Sequence, residues 1–165
     1  MKTLDEINSM PPEEFVTTFG DVAEHSPWVA RHAASLRPFA SRDAMIAAFA
    51  DSLKAGKRES QLALIRAHPD LATRAKLTSD SSREQAGAGL DALSHAEFER
   101  FTHLNELYKS KFDFPFIFAV KGATKHRILD SFSERVSNSP DDEFTLAIDQ
   151  ICRIFRFRIE DRVAA

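Results

Sequence analysis

The sequence predicts an all-α fold, a compact multi-helix bundle interrupted by one short extended apolar segment near 114–120. Two observations favour helices over a sheet: only five glycines occur in 165 residues, and long stretches repeat apolar side chains with a 3.6-residue period. A third is that helix start signals precede those stretches. "PPEEF" offers prolines and carboxylates suited to a first turn, opening a helix that runs to about Phe19. Ser26-Pro27 does the same for "WVARHAASLRPF". Ser41 caps "RDAMIAAFADSLKAG", which Gly56 ends. A helix from about Lys57 to His68 stops at Pro69, because a residue before proline is pushed out of the α region.

Ser94 caps "HAEFERFTHLNELYKSKF", whose stripe is Phe98, Phe101, Leu104, Asn105, Tyr108 and Phe112. "FPFIFAV", Phe114 to Val120, has no helical period and contains a proline, so it reads as a buried extended segment or one short strand, and it needs backbone partners. Helices resume from about Thr124 to Ser137 and from about Asp141 to Val163. No repeat, low-complexity tract or linker appears, and the length suits a single domain over 1–165, enough to bury roughly 70% of the unfolded surface.

Composition excludes several classes of function. Lys and Arg number 22 against 25 Asp and Glu, spread along the chain, so no footprint for a nucleic-acid backbone exists. Cys152 is the only cysteine, which leaves no internal disulfide and no cysteine-based zinc site and fits a reducing compartment. "MKTLDEINSM" lacks an apolar signal core, no apolar run reaches the ~20 residues of a membrane span, and "RVAA" is no retention signal. A cytoplasmic protein with neither nucleic-acid nor membrane partner is expected.

Three polar features fall on apolar faces. In "AHPDLA", His68 follows Leu64 by four residues and Ile65 by three, which extends their stripe. In the last helix Arg158 continues the stripe of Phe144, Ala147, Ile148, Ile151, Ile154 and Phe155, while Arg153 and Arg156 point away. A guanidinium keeps its charge, so a buried Arg158 needs an anion: either a structural ion pair or a ligand carboxylate held by its fork. The third is "SSREQAGAGL", where Ser81 and Glu84 fit a capping box. The same helix start offers N–H groups to a carboxylate or carbonyl, Gln85 adds an amide, and Gly87 and Gly89 permit close approach. Each feature has a structural and a functional reading. No metal is expected: His25, His32, His95, His103 and His126 show no paired ligand spacing, and HExxH is absent. No G-x-S-x-G elbow supports a serine nucleophile.

"AHPDLA", "SSREQAGAGL", "LNELYKSKFDFPFIFAVKG", "ERVSN" and "EFTLAIDQICRIFRFRI", in this order and spacing, resemble the 2-oxo-4-hydroxy-4-carboxy-5-ureidoimidazoline (OHCU) decarboxylases of the ureide pathway. "LDEINSMPPEEFVTTFGDVAEHSPWVA" is similar to the start of those all-helical enzymes. The resemblance covers nearly the whole chain. It implies a carboxy-lyase with no cofactor, typically a homodimer, that converts OHCU to (S)-allantoin and carbon dioxide in urate degradation. It makes His68, Glu84 and Arg158 catalytic. It assigns substrate binding to Pro69, to Ser81, Ser82, Arg83, Glu84 and Gln85, to Arg158, and to backbone groups of Phe116, Ile117, Phe118, Ala119 and Val120. The family usually has glycine where this chain has Asp113, which implies a left-handed or crowded backbone, and Asp is among the few residues that tolerate one. Two other readings stay open: a non-catalytic helical ligand-binding module, in which His68, Glu84 and Arg158 only fix core geometry, and a relative acting on another ureide.

Overall fold

The computed structural model describes residues 1–73 and 77–165. The described residues are helical with no strand, apart from one isolated parallel bridge between Lys2 and Val163. The chain divides into two compact units, one of residues 1–67 with 151–165 and one of residues 68–150. No helix among the described residues is long and apolar enough to cross a membrane.

The first unit holds α1 (Leu4–Ser9), α2 (Pro12–Phe19), a 3-10 turn (Gly20–Val22), α3 (Trp28–Ala34), α4 (Arg42–Lys54), α5 (Arg58–Ala67) and the end of α9 (Pro140–Arg162) from Ile151. Its core is aromatic: Phe15 lies 5.1 Å from Phe19 between ring centroids and 6.2 Å from Phe49, which meets Phe155 edge-on at 6.1 Å. Offset and edge contacts of this kind add to the area that such rings bury. Ser41 caps α4 as its sequence predicts, accepting from the Ala44 N–H at 3.0 Å. Gly56 has a different reason from the one expected. A Cβ there would come 2.7 Å from the Trp28 ring, so close approach, not a left-handed turn, calls for glycine. The chain ends are tied together, since the Lys2 N–H donates to Arg162 O and the Ala164 N–H to Lys2 O, both at 2.9 Å.

The second unit holds α6 (Ser79–Gly87), α7 (His95–Phe112), α8 (Lys125–Arg135) and the start of α9 to Gln150. Ser94 caps α7 and Glu97 returns the bond to the Ser94 N–H at 2.9 Å, completing a capping box. The predicted stripe of α7 is buried from Phe101 to Phe112. Tyr108 is its hub, with Phe116 at 5.5 Å and Phe132 at 5.9 Å, and these two rings stack at 3.9 Å. Asp113 sits at φ 62°, ψ 27°, the left-handed conformation that the family's glycine implies.

Segment 114–120 is non-helical and not a strand, and it is buried except at the half-buried Phe118. A segment outside any ladder has no backbone partner of that kind, so side chains supply bonds. Arg135 Nη1 donates to Ile117 O at 2.7 Å, and Gln150 Oε1 accepts from the Ala119 N–H at 2.9 Å.

One local expectation is corrected. Thr78, not Ser81, caps α6, with its hydroxyl accepting from the Ser81 N–H at 3.2 Å. Ser81 and Glu84 therefore lie inside the helix, and no capping box joins them. Thr is also a favoured cap, and starting three residues earlier brings Asp80 into the first turn, where the helix dipole favours an acid.

Candidate active site

His68 stands one residue beyond the last turn of α5 and begins the second unit, 8% exposed. The following residues are held by three side chains of that unit. Gln85 Oε1 accepts from the Ala72 N–H at 2.9 Å, and its Nε2 makes a longer 3.4 Å bond to Asp70 O. From α7, Asn105 Nδ2 donates to Leu71 O at 2.9 Å, and Lys109 Nζ donates to the Asp70 carboxylate at 2.6 Å. Every residue from Asp70 to Ala72 is thereby anchored.

The anchors have work to do, because Ala72 adopts φ 58°. A left-handed alanine costs ~1–2 kcal/mol, and such strain persists only where the surroundings over-determine the backbone. Gln85 is buried to receive that segment. Its amide, expected to meet a ligand, thus also serves as a clamp on the residues that follow His68. Asn105 and Lys109 escaped the sequence reading. Asn105 was visible on the α7 stripe as a polar residue among apolar ones, but its partner lies 34 residues away and leaves no local signal.

Around Gln85, Ser81 is buried, Glu84 half-buried, and Ser82 and Arg83 exposed. The exposed Arg83 pairs with the largely buried carboxylate of Asp80 one turn back, an i,i+3 ion pair.

A second polar cluster of this unit is centred on Glu143, which has no exposed surface. Its Oε1 accepts from Tyr108 Oη at 2.6 Å and from Arg135 Nε at 2.9 Å, and its Oε2 from Asn138 Nδ2 at 2.8 Å. Burial, and then the bond to the anionic Glu143, push the Tyr108 phenol well above its ordinary pKa, so it remains a donor. Arg135 lies over the Phe116 ring at 4.4 Å while holding Ile117 O. This cluster fastens the extended segment.

The family model for OHCU decarboxylase matches residues 8–160, nearly the whole chain. The chain belongs to the OHCU decarboxylase family. Among relatives of this decarboxylase-family chain, the 2-oxo-4-hydroxy-4-carboxy-5-ureidoimidazoline decarboxylase of Haloferax volcanii is 42% identical over 163 residues, spanning 99% of this chain and 97% of that protein. The uric acid degradation bifunctional protein PucL of Bacillus subtilis is 43% identical over 161 residues, but the chain spans only 33% of its length. A solved structure of (S)-allantoin synthase matches with a TM-score of 0.78 at 29% identity, covering 98% of this chain and 54% of that one. A crystal structure of OHCU decarboxylase in the presence of (S)-allantoin shares the fold, with a TM-score of 0.73 and 23% identity over 87% of this chain and 95% of that one.

In the first unit of this family member, Arg158 is 3% exposed on the inner face of α9, as its stripe predicts, while Arg153 and Arg156 are exposed. Its Nη2 donates to Glu24 Oε1 at 2.8 Å and its Nη1 to Val22 O at 3.1 Å. The structural ion pair foreseen for it exists, with Glu24 as the anion. Any part in ligand binding has to share the guanidinium with these two acceptors.

Proposed function

We propose that the chain decarboxylates OHCU to (S)-allantoin. The observation that carries this is the match, along nearly the full length of both chains, to a decarboxylase of that name. The anchored segment after His68 is what stereospecific proton delivery requires, because a proton donor held in one place serves one face of a planar intermediate.

The bond from the ring to the carboxylate breaks and carbon dioxide leaves. The electron pair left behind forms a C=C bond to the carbon bearing the ureido group while the C=N pair moves onto the ring nitrogen, which takes a proton; the resulting enol then loses its O–H proton to become a carbonyl as a proton adds to the carbon bearing the ureido group. His68 is the acid/base for these transfers; an imidazole with an ordinary pKa of about 6.5 exchanges protons readily near neutrality. Glu84 orients the imidazole and stabilises its cation. Arg158 holds an anionic or carbonyl oxygen. Pro69, the stretch Ser81 to Gln85 and the backbone of Phe116 to Val120 bind the ring and ureido groups, with the surrounding phenylalanines excluding water so that fixed dipoles act more strongly. The conjugated ring accepts the electron pair itself. The protein works as a cytoplasmic homodimer.

The test generates OHCU in place from urate with urate oxidase and hydroxyisourate hydrolase and follows the loss of its ultraviolet absorption. The wild-type chain should accelerate the loss, and His68→Asn should cut turnover by about 100-fold or more while keeping its melting temperature. Turnover unchanged in His68→Asn, with a large fall in melting temperature, would make His68 a packing residue.

A further inference from the structure

Asn105 lies on the buried stripe of α7, among Phe101, Leu104, Tyr108 and Phe112, and is only 7% exposed. Its Nδ2 makes one bond, to Leu71 O, while its buried Oδ1 meets no donor among the described residues. A single hydrogen bond typically contributes less to folding than an unmet buried acceptor costs. Stability therefore does not account for an asparagine in this stripe, and attention shifts to what it holds.

Leu71 is the middle one of three consecutive residues fixed from the side. Lys109, one turn along α7 from Asn105, donates to the Asp70 carboxylate at 2.6 Å, and Gln85 accepts from the Ala72 N–H at 2.9 Å. Only Pro69, whose ring locks its own φ, separates this held stretch from His68. The stretch does not keep its shape unaided, because Ala72 is left-handed at φ 58°. Release of Leu71 O would let that strain relax, and the stiff Pro69 link would pass the movement back to His68.

We propose that Asn105, with Lys109 as a second hold on the same loop, is a positioning residue of the decarboxylation: it fixes the His68 imidazole over one face of the ring intermediate, at a net cost to stability. The inference rests on the decarboxylase reading above. Asn105 acts through the backbone, so its loss changes the rate and the stereochemistry of proton delivery and not the affinity for substrate.

Asn105→Leu keeps the branched shape of the side chain and removes both polar groups. With OHCU generated in place, and enzyme raised until spontaneous decay is minor, this variant should lower kcat about 10- to 100-fold, the range that a misplacement of about 1 Å brings. KM should stay nearly unchanged and the enantiomeric excess of allantoin should fall, while the melting temperature drops little or rises. Lys109→Met should act in the same direction by a smaller factor, about threefold or more in kcat, and Lys109→Arg, which keeps a donor for Asp70, should restore most of the loss. Lys109 is 45% exposed and its ion pair adds little to stability, so the lysine variants decide the matter should Asn105→Leu fail to fold. Unchanged kcat per folded chain and unchanged enantiomeric excess in either Asn105→Leu or Lys109→Met, or a rise in KM alone, overturns the proposal and leaves the decarboxylase reading intact. A wild type that does not turn over OHCU removes both.

Discussion

Arg158 and Glu24 are buried side by side, and the arginine cannot discharge itself by losing a proton. Glu24→Gln keeps an acceptor but removes the countercharge, which should cost about 3 kcal/mol, as for other buried pairs broken from one side. In a chain of this size that corresponds to a fall in melting temperature of roughly 6–12 °C, readable by calorimetry. Arg158→Lys separates the two roles: a ligand-holding fork predicts a KM raised about tenfold or more in the folded fraction, whereas a purely structural arginine predicts unchanged KM. Counting at 100° per residue was enough to place Arg158 inside, because helical phase is a local property. Its partner was not legible, since Glu24 lies 134 residues away. The same limit hid Glu143. Phe144 belongs to the predicted stripe, yet Phe144 is half-buried and its acidic neighbour wholly buried, because Tyr108, Arg135 and Asn138 converge on that carboxylate.

Helix ends show which local signals decide between rivals. Ser94 and Glu97 form the reciprocal bonds of a capping box at the start of α7, and Glu97 also accepts from Lys125 Nζ at 2.9 Å. The bond from Lys125, followed by that from the Ser94 N–H, holds the Glu97 carboxyl down to about 2 from its ordinary 4.5. Between those values the unfolded chain binds the proton more strongly, so the stabilisation is complete above about 4.5 and disappears as the pH falls to about 2. Glu97→Gln should therefore lower the melting temperature near neutral pH and match the wild type near pH 2; an equal gap at both pH values would contradict this account. At α6 the helix starts on Thr78, three residues before the Ser81 start that the Ser81–Glu84 pattern signals. The segment 114–120 could be recognised as a non-helical apolar stretch from its lack of helical period, but its fasteners, Arg135 and Gln150, come from two different helices and have no sequence signature.

On the scale of the molecule, the family match runs through both compact units, and α9 supplies residues to each, Glu143 and Gln150 to one and Arg158 to the other. The all-α class was legible because helical periodicity recurs along the chain and α1, α4, α6, α7 and α8 each begin on a serine or threonine cap. The strained Ala72 and its anchors were not, since a left-handed alanine arises from tertiary bonds and not from any preference of its own. The proposed reaction requires this chain to deliver a proton to one face of the decarboxylated ring. The circular dichroism of allantoin, recorded as OHCU is generated from urate and consumed, tests it most directly. With the chain present, the signal of the (S) enantiomer should grow with the loss of OHCU and exceed that of the spontaneous reaction; a racemic product formed at the uncatalysed rate would contradict the claim.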